Sequence, residues 1–311
     1  MILLFTSCCA LSAPVDPQQQ LVDAFALQRA AQSSKAITNA KTLIASGVLD
    51  ELGTGRAWIL LGLCYEDQGK FADAQRAYEQ AIRILITQPQ WKKDYASALD
   101  DLGHLYRTMG QWQAATDLRL KAIRVFEENS DHGGLARAYT SLSAVDLDQK
   151  HMRECRKHLK TAFEELNRST DVDDDDRAAA YSIQAGLALH DQDVSQALAE
   201  YQHALELWRR NHGENHPLTG WGYILLGSAE SEDGEPSKAE EVMQEGMAIL
   251  DRTLGSGNPR YLEAEIAYAR VLDQAGQHSR AARLKADADQ SLKELSKSQC
   301  IGCTISAAAL K

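Results

Sequence analysis

Hydrophobic residues recur along this chain at helical spacing, in pairs of segments separated by a short turn. One series, at positions i, i+3, i+4 and i+7, consists of Trp58, Leu61, Gly62 and Tyr65. Gly69 follows it, and a glycine at this place commonly ends a helix. A second series, at i, i+4 and i+7, consists of Ala74, Tyr78 and Ala81. The pattern predicts a helix, a tight turn and a second helix, which small residues allow to approach the first closely.

The same helix–turn–helix pattern occurs six times with a nearly constant period. The small residues that mark its phase are Gly62, Gly103, Ser143, Ala185, Gly227 and Ala269, at separations of 41, 40, 42, 42 and 42 residues. In the third and fourth units Lys150 and Gln192 stand where the turn glycine is expected. Because neighbouring repeats bury each other's apolar faces, this periodicity predicts an all-α solenoid.

The repeat resembles the tetratricopeptide repeat. Its period of about 42 residues is longer than the common 34-residue unit and is similar to that of the kinesin-light-chain-type subgroup. The linker at residues 213–217 reads Gly-Glu-Asn-His-Pro, and residues 255–259 read Gly-Ser-Gly-Asn-Pro, which resemble the linker of that subgroup. The resemblance implies a right-handed α-solenoid that binds other proteins, and we expect a bacterial source.

The periodicity divides the chain into four segments. Residues 54–295 carry the six repeats, and residues 14–53 read as an N-terminal helical cap or a degenerate repeat. Residues 1–13 form a signal-like or lipoprotein-like segment, and residues 296–311 read as a tail. The sixth repeat is degenerate, with Glu265 at an apolar position, so we expect it to cap the array with its outer face in water.

The resemblance also implies that the first helix of each unit lines a concave groove with the residues that it does not use for packing. These predicted groove residues are Ile59, Leu63, Glu66, Asp100, His104, Arg107, Thr140, Ala144, Asp148, Ser182, Gly186, Leu189, Trp221, Ile224, Ser228, Ile266, Arg270 and Asp273. The N-terminal half of this set is acidic and the C-terminal half is more apolar, which predicts a protein partner segment with basic and apolar residues.

The sequence lacks the residues that two functions of related repeat proteins require. The Lys/Asn set that clamps a terminal carboxylate in chaperone-binding relatives is absent. The paired asparagines of kinesin light chains are replaced by Asp100 and Asp101 in the second unit and by Ile224 and Leu225 in the fifth. The sequence therefore predicts neither binding of a C-terminal chaperone peptide nor binding of motor cargo.

Composition narrows the class of partner. The 311 residues include 33 Lys and Arg against 44 Asp and Glu, for a net charge of −11. An acidic chain repels phosphate backbones, so nucleic acid is not an expected partner. No run of about 18 apolar residues is present, so the sequence predicts no membrane-spanning helix.

The N-terminal segment favours export. Residues 1–13 carry no charged side chain, and a short apolar run precedes small residues, as in a signal peptide. Residues 5–8 also resemble a bacterial lipoprotein signal, with Cys8 as the lipid anchor, although Phe5 replaces the usual leucine, the basic start is missing and Pro14 follows the best cleavage point. We expect a periplasmic or membrane-anchored protein, and the alternative is a cytoplasmic protein whose first residues pack on the fold.

Candidate chemistry is sparse. Cys64 and Cys155 occupy helix positions where small residues pack, which predicts buried thiols. Cys300 and Cys303 form a Cys-x-x-Cys pair in the tail, where a local disulfide, two free thiols or half of a metal site all stay open. His212 and His216 flank a helix-breaking linker, and residues 171–176 read as a solvated acidic loop.

The sequence contains no recognisable catalytic motif, so we expect a non-enzymatic scaffold or adaptor without a cofactor. Two alternatives stay open. One is a redox- or metal-linked accessory protein that uses Cys300 and Cys303. The other is a fixed subunit of a cell-envelope assembly.

Overall fold

The computed structural model describes residues 16–170 and 173–299, and these residues form fourteen α-helices and no β-strand. The helices are α1 (Pro17–Arg29), α2 (Ser33–Ser46), α3 (Glu51–Asp67), α4 (Phe71–Leu85), α5 (Lys92–Thr108), α6 (Trp112–Glu128), α7 (His132–Asp148), α8 (Met152–Arg168), α9 (Asp174–His190), α10 (Val194–His212), α11 (Pro217–Glu232), α12 (Pro236–Leu254), α13 (Pro259–Gln274) and α14 (His278–Gln299). A 3-10 turn (Pro89–Trp91) precedes α5. The predicted all-α, right-handed α-solenoid is confirmed.

The helices pack as seven consecutive pairs. Each odd-numbered helix has its most extensive contact with the helix that follows it. Each even-numbered helix from α2 to α12 also packs against the next odd-numbered helix, and these contacts join adjacent pairs. The six predicted repeats correspond to the pairs from α3–α4 to α13–α14. The first pair, α1–α2, packs on α3 in the same way and adds a seventh unit.

All seven pairs are joined by the same turn. The residue with positive φ in each is Ala31, Gly69, Gly110, Lys150, Gln192, Gly234 or Gly276. The residue after it donates its N–H to the carbonyl five positions back, as in the 2.8 Å bond from Lys70 N to Tyr65 O, which is the closing bond of a Schellman turn. Lys150 and Gln192 adopt the left-handed conformation without the glycine that favours it. The same turn at Ala31 identifies α1–α2 as a complete repeat.

Small residues set the distance between the two helices of a pair. A Cβ on Gly62 would lie 2.4 Å from the ring of Tyr78, so the aromatic side chain occupies the space that glycine leaves. The residues at the position of Tyr78 in the next four units are Arg119, Leu159, Tyr201 and Met243. Four of these five side chains are apolar or aromatic, and only the second unit places a charge in this part of the core.

Two helix ends differ from the predicted segment limits. Helix α3 begins at Glu51, before the predicted repeat start at residue 54, because the Asp50 carboxylate accepts a 2.7 Å hydrogen bond from Gly53 N and caps the helix. Helix α14 continues to Gln299, into the predicted tail. Residues 296–299 contain no glycine or proline that would stop it.

Candidate functional site

A cavity of about 560 Å³ opens on the concave side of the N-terminal units. Its walls come from the first helix of each of four successive repeats, namely α1, α3, α5 and α7. Its lining residues are Gln18, Leu21, Val22, Phe25, Arg56, Ile59, Leu63, Asp94, Ser97, Asp101 and Arg137. The groove residues Ile59 and Leu63, which the sequence predicts, lie in this cavity.

The floor of the cavity is apolar. Leu21, Val22 and Phe25 come from one face of α1, and Ile59 and Leu63 come from α3. Val22 exposes 55% of its surface, whereas Leu21 and Ile59, which also line the cavity, are buried. An exposed apolar side chain among buried apolar ones offers surface that a ligand would bury favourably.

The opposite wall is polar and charged. Arg56 binds Asp94 through two hydrogen bonds, from Nε at 2.6 Å and from Nη2 at 3.0 Å. Arg137 Nη2 donates to Ser97 Oγ at 3.1 Å. Asp101 completes this wall. Such a combination of apolar floor and placed polar groups is typical of a binding site.

Behind this wall lies a buried charged group. Asp100 is 3% exposed, with Oδ1 3.5 Å from Arg119 Nε and Oδ2 3.6 Å from Arg137 Nε. Arg119 is completely buried, and burial lowers its pKa to about 10. The prediction that Asp100 is exposed in the groove is therefore wrong, because its buried carboxylate faces Arg119 of its own repeat and Arg137, which lines the cavity from the next repeat.

Other predicted groove residues of α3 to α7 form a polar row along the concave side. Glu66 accepts a 3.1 Å hydrogen bond from Tyr78 Oη and lies 3.2 Å from His104 Nε2. Arg107 Nη1 donates to Asp148 at 2.6 Å. Burial, reinforced by the Asp67 charge, raises the pKa of Glu66 to about 8, and burial also lowers the pKa of His104. Burial thus disfavours the charged forms of both Glu66 and His104, although the His104 side chain keeps 43% of its surface exposed.

The remaining predicted groove residues are scattered. Ile224 is 1% exposed in the core of the fifth unit, and Thr140 is 5% exposed, so the prediction that they face a groove is wrong. Ser182 donates to the carbonyl of Ala179 in its own helix. Leu189 packs partly buried beside α10 and α11, whereas Arg270 is exposed.

Trp221 is half-buried among the side chains of α12 and α13. The Arg260 guanidinium lies over its ring, 5.4 Å from the centroid. The Trp221 ring therefore packs against residues of the fold itself.

The residues that the sequence reasoning missed lie one helical turn earlier. Arg56, Ser97 and Arg137 share the repeat position at which Trp221 was chosen in the fifth unit. Applying the register of Trp221 to every unit would have found all three. No signal in a single repeat points to Val22 or Phe25, because α1 meets the other walls only in the folded array.

The two ends of the array touch. Asn258 Nδ2 donates to the carbonyl of Asp67 at 2.8 Å, across 191 residues of chain, and a Cβ on Gly69 would lie 2.4 Å from Pro259. His216, at the equivalent place in the preceding linker, lies close to the backbone of Arg29. We call this the closure contact. Asn258, at the start of the sixth unit, is buried in this contact.

Most of the candidate chemistry is accounted for by packing. Cys64 and Cys155 are buried, and burial raises the pKa of each thiol to about 12. The rings of His212 and His216 stack at 4.0 Å, and His212 Nε2 lies 2.8 Å from Asp175. Within residues 16–170 and 173–299, no group of three His, Cys, Asp or Glu side chains could hold a metal ion.

Several predicted features fall outside the described residues. These are the N-terminal segment 1–13 with Cys8, the acidic-loop residues 171 and 172, and the pair Cys300 and Cys303. Among the helices that the structure describes, none combines the length and the apolar character needed to cross a lipid bilayer.

Family models described as tetratricopeptide repeat match three stretches of the chain, residues 55–85, 96–129 and 176–252. The chain is a tetratricopeptide repeat protein. The matched stretches coincide with α3–α4, with α5–α6 and with α9–α12. Two of the four helices around the cavity therefore belong to recognised tetratricopeptide repeats. No curated protein matches the chain.

Solved structures share this repeat architecture. Apo RapI is 14% identical with a TM-score of 0.63, covering 90% of this chain and 100% of that one. A Rap protein complexed with Competence and Sporulation Factor is 15% identical with a TM-score of 0.61, covering 90% and 98%. BtubC (BKLC) from P. vanneervenii is 19% identical with a TM-score of 0.50, covering 77% and 92%. At such identities the likeness concerns the fold alone.

Proposed function

We propose that this tetratricopeptide repeat protein is a non-catalytic interaction scaffold that receives a segment of another protein in the N-terminal cavity. The observation that carries the proposal is Val22, an exposed valine in a concave apolar surface. Its neighbours Leu21, Phe25, Ile59 and Leu63 would complete a pocket for one or two apolar side chains. The cavity volume of about 560 Å³ is that of typical ligand sites, about 300–1,000 Å³.

A protein segment fits the cavity better than a small metabolite would. The walls come from four consecutive repeats, so the site extends along the array, as suits an extended or helical peptide. The Arg56–Asp94 pair stands at the rim, where polar groups usually surround an apolar contact. Among the similar structures, a Rap protein is complexed with Competence and Sporulation Factor, which supports ligand binding by this kind of array.

A matched pair of valines tests the proposal. Val22 and Val48 expose 55% and 54% of their surfaces, but only Val22 lines the cavity. Val22→Glu should abolish capture of a binding partner from the native host, whereas Val48→Glu should leave capture unchanged. A photo-crosslinking amino acid at position 22, and not at position 48, should attach to that partner, and mass spectrometry of the adduct should identify the bound segment.

A synthetic copy of the crosslinked segment should bind the intact chain and lose affinity for Val22→Glu. Equal binding to both variants would place the interaction elsewhere on the protein and overturn the proposal. Circular dichroism of both variants should match the unaltered chain, since neither valine is part of the buried core.

Export of the chain is a separate proposal that rests on residues 1–13 alone. We propose a periplasmic or membrane-anchored protein, with Cys8 as the anchor in the second case. Intact-mass measurement of protein purified from its native host tests both. A loss of the first residues supports cleavage, a diacylglycerol-sized addition supports lipidation at Cys8, and an unprocessed N-terminus contradicts export by either route.

A further inference from the structure

One carboxylate on the polar wall of the cavity lacks a close partner among the described residues. Asp101 lines the cavity, yet within the described residues it makes no hydrogen bond and no ion pair. It projects from α5 beside the apolar floor, where Ile59 and Leu63 form the adjoining surface. A half-buried carboxylate in such a place normally finds a donor or a cation.

The neighbouring cations are already engaged with other carboxylates. Arg56 binds Asp94 at 2.6 Å, and Lys93 lies 3.3 Å from Asp131. Arg119 and Arg137 both face Asp100, at 3.5 and 3.6 Å. Asp176 of α9 also faces Arg137 and favours its charged form. Arg137 also attracts Asp101, and Arg119 does so as well, but no cation lies within ion-pair distance of the Asp101 carboxylate among the described residues, so a closer cation could still bind it.

The electrostatics of Asp101 agree with this arrangement. Burial is the largest cause that raises its pKa to about 7, while Arg137 and Arg119 act to lower the pKa and the Asp100 charge acts to raise it. A cation placed against Asp101 would favour its ionised form and would gain a charge-assisted hydrogen bond in a partly dehydrated site.

We propose that Asp101 anchors a lysine or arginine of the segment that docks in the cavity, while apolar residues next to that cation occupy the floor. This inference rests on the function proposed above and adds the chemistry of its partner. An acidic anchor on Arg137 is less favoured, because that guanidinium already donates to Ser97 and faces Asp100. The partner segment therefore carries a basic residue within a few positions of a bulky apolar one.

A random peptide library tests the anchor and does not require the natural partner to be identified. Phage-displayed 12-residue peptides are selected on the intact chain and, in parallel, on Asp101→Asn, Val22→Glu and the control Asp117→Asn. Asp117 is an exposed carboxylate on α6 outside the cavity, so its variant has the same net charge as Asp101→Asn. The unaltered chain and the control should enrich peptides in which Lys or Arg accompanies Leu, Ile, Val or Phe.

The variants should separate the two proposals. Asp101→Asn should retain the apolar preference and lose the basic one, and Val22→Glu should enrich nothing above background. If the unaltered chain enriches no peptide whose binding depends on Val22, the proposal that a segment docks in the cavity is contradicted. Enrichment without a basic preference, or with one that survives Asp101→Asn, would overturn only the anchor.

A selected peptide then gives the decisive measurement. Changing its basic residue to Gln should weaken binding to the unaltered chain roughly tenfold, as expected for loss of one charged hydrogen bond. The same peptide change should have almost no effect on binding to Asp101→Asn, because the two changes remove one interaction. Additive effects of the two changes would contradict a direct contact.

Discussion

Arg119 Nε lies 3.5 Å from Asp100 Oδ1, and the two side chains are buried in the middle of an otherwise apolar repeat. The same two repeat positions hold Ile59 and Tyr78 in the first unit and Ile224 and Met243 in the fifth. The three guanidinium nitrogens of Arg119 have no hydrogen-bond partner among the described residues. A buried ion pair thus stands where other units use an apolar pair, and such a pair rarely stabilises a fold.

Restoring the apolar pair should therefore be tolerated. Arg119→Met alone leaves the buried Asp100 carboxylate with Arg137, 3.6 Å away, as its one close cation among the described residues, and Asp100→Ile alone leaves the Arg119 guanidinium buried without its carboxylate. Each should lower the free energy of unfolding by about 3–5 kcal/mol. The double variant should be as stable as the unaltered chain or more stable by about 1–4 kcal/mol. Urea denaturation of all four proteins measures the coupling, and simple additivity of the two losses would contradict this interpretation.

Glu66 should contribute a fall in stability as the pH rises from about 5 to 8. Burial raises the pKa of this carboxyl from 4.5 to about 8, so in this window the folded chain holds a proton that the unfolded chain has released. The contribution of Glu66 to the free energy of unfolding is complete below the pKa that this carboxyl has in the unfolded chain. That contribution is lost as the pH rises through the pKa that it has in the folded chain. The slope from this group approaches about 1.4 kcal/mol per pH unit.

Glu66→Gln removes that titration and keeps an acceptor for Tyr78. Urea midpoints measured at pH 5, 6, 7 and 8 should fall less steeply for this variant than for the unaltered chain. Glu79→Gln, on the neighbouring helix α4, should keep the original slope. Parallel curves for Glu66→Gln and the unaltered chain would show that Glu66 is already ionised at pH 5 in the folded protein.

Two turns should gain stability from glycine. Lys150 and Gln192 have φ values of 61° and 63°, which cost a residue with a side chain about 1 kcal/mol relative to glycine. Lys150→Gly and Gln192→Gly should each raise the free energy of unfolding by about that amount. Asp191→Gly, one residue earlier with φ of −82°, should not. Calorimetric unfolding of the three variants tests the comparison.

The position of each repeat could be predicted from the sequence because every unit carries the same pattern. The same small residue and the same turn recur at 40 to 42 residues, so the turns at Lys150 and Gln192 could be placed even without glycine. Ala31 could not be recognised as a turn residue, since alanine carries no preference for that conformation. The side-chain directions were less secure. Leu63, a predicted groove residue, lines the cavity, whereas Ile224, another predicted groove residue, belongs to the core.

The cavity and the closure contact depend on long-range geometry. In the sequence nothing distinguishes Val22 from other helix residues, because its place in the cavity depends on the packing of α1 beside α3 and α5. Asn258 reads as a helix cap, and it does cap α13 by accepting a 2.9 Å bond from Arg260 N. Its second bond, to Asp67, joins units that no sequence pattern relates. Only the accumulated twist of all the repeats brings these groups together.

The closure contact should be broken by one methyl group. Gly69 and Gly276 have φ values of 67° and 77°, but only Gly69 faces Pro259. Gly69→Ala and Gly276→Ala should therefore carry a similar backbone cost, whereas only Gly69→Ala should separate the ends. Small-angle X-ray scattering should report a larger radius of gyration for Gly69→Ala alone. Equal radii for the two variants would show that the ends stay together despite the added methyl.

The bond between Asn258 and Asp67 also restricts how this protein could have grown. An open repeat array can gain or lose a unit by duplication or deletion with changes only at the new junction, because each unit touches only its neighbours. Here a unit added between α4 and α13 would rotate Asn258 away from the carbonyl that it now meets. In proteins that keep this contact, the number of repeats from α3–α4 to α13–α14 should therefore stay fixed at six while their surface sequences diverge.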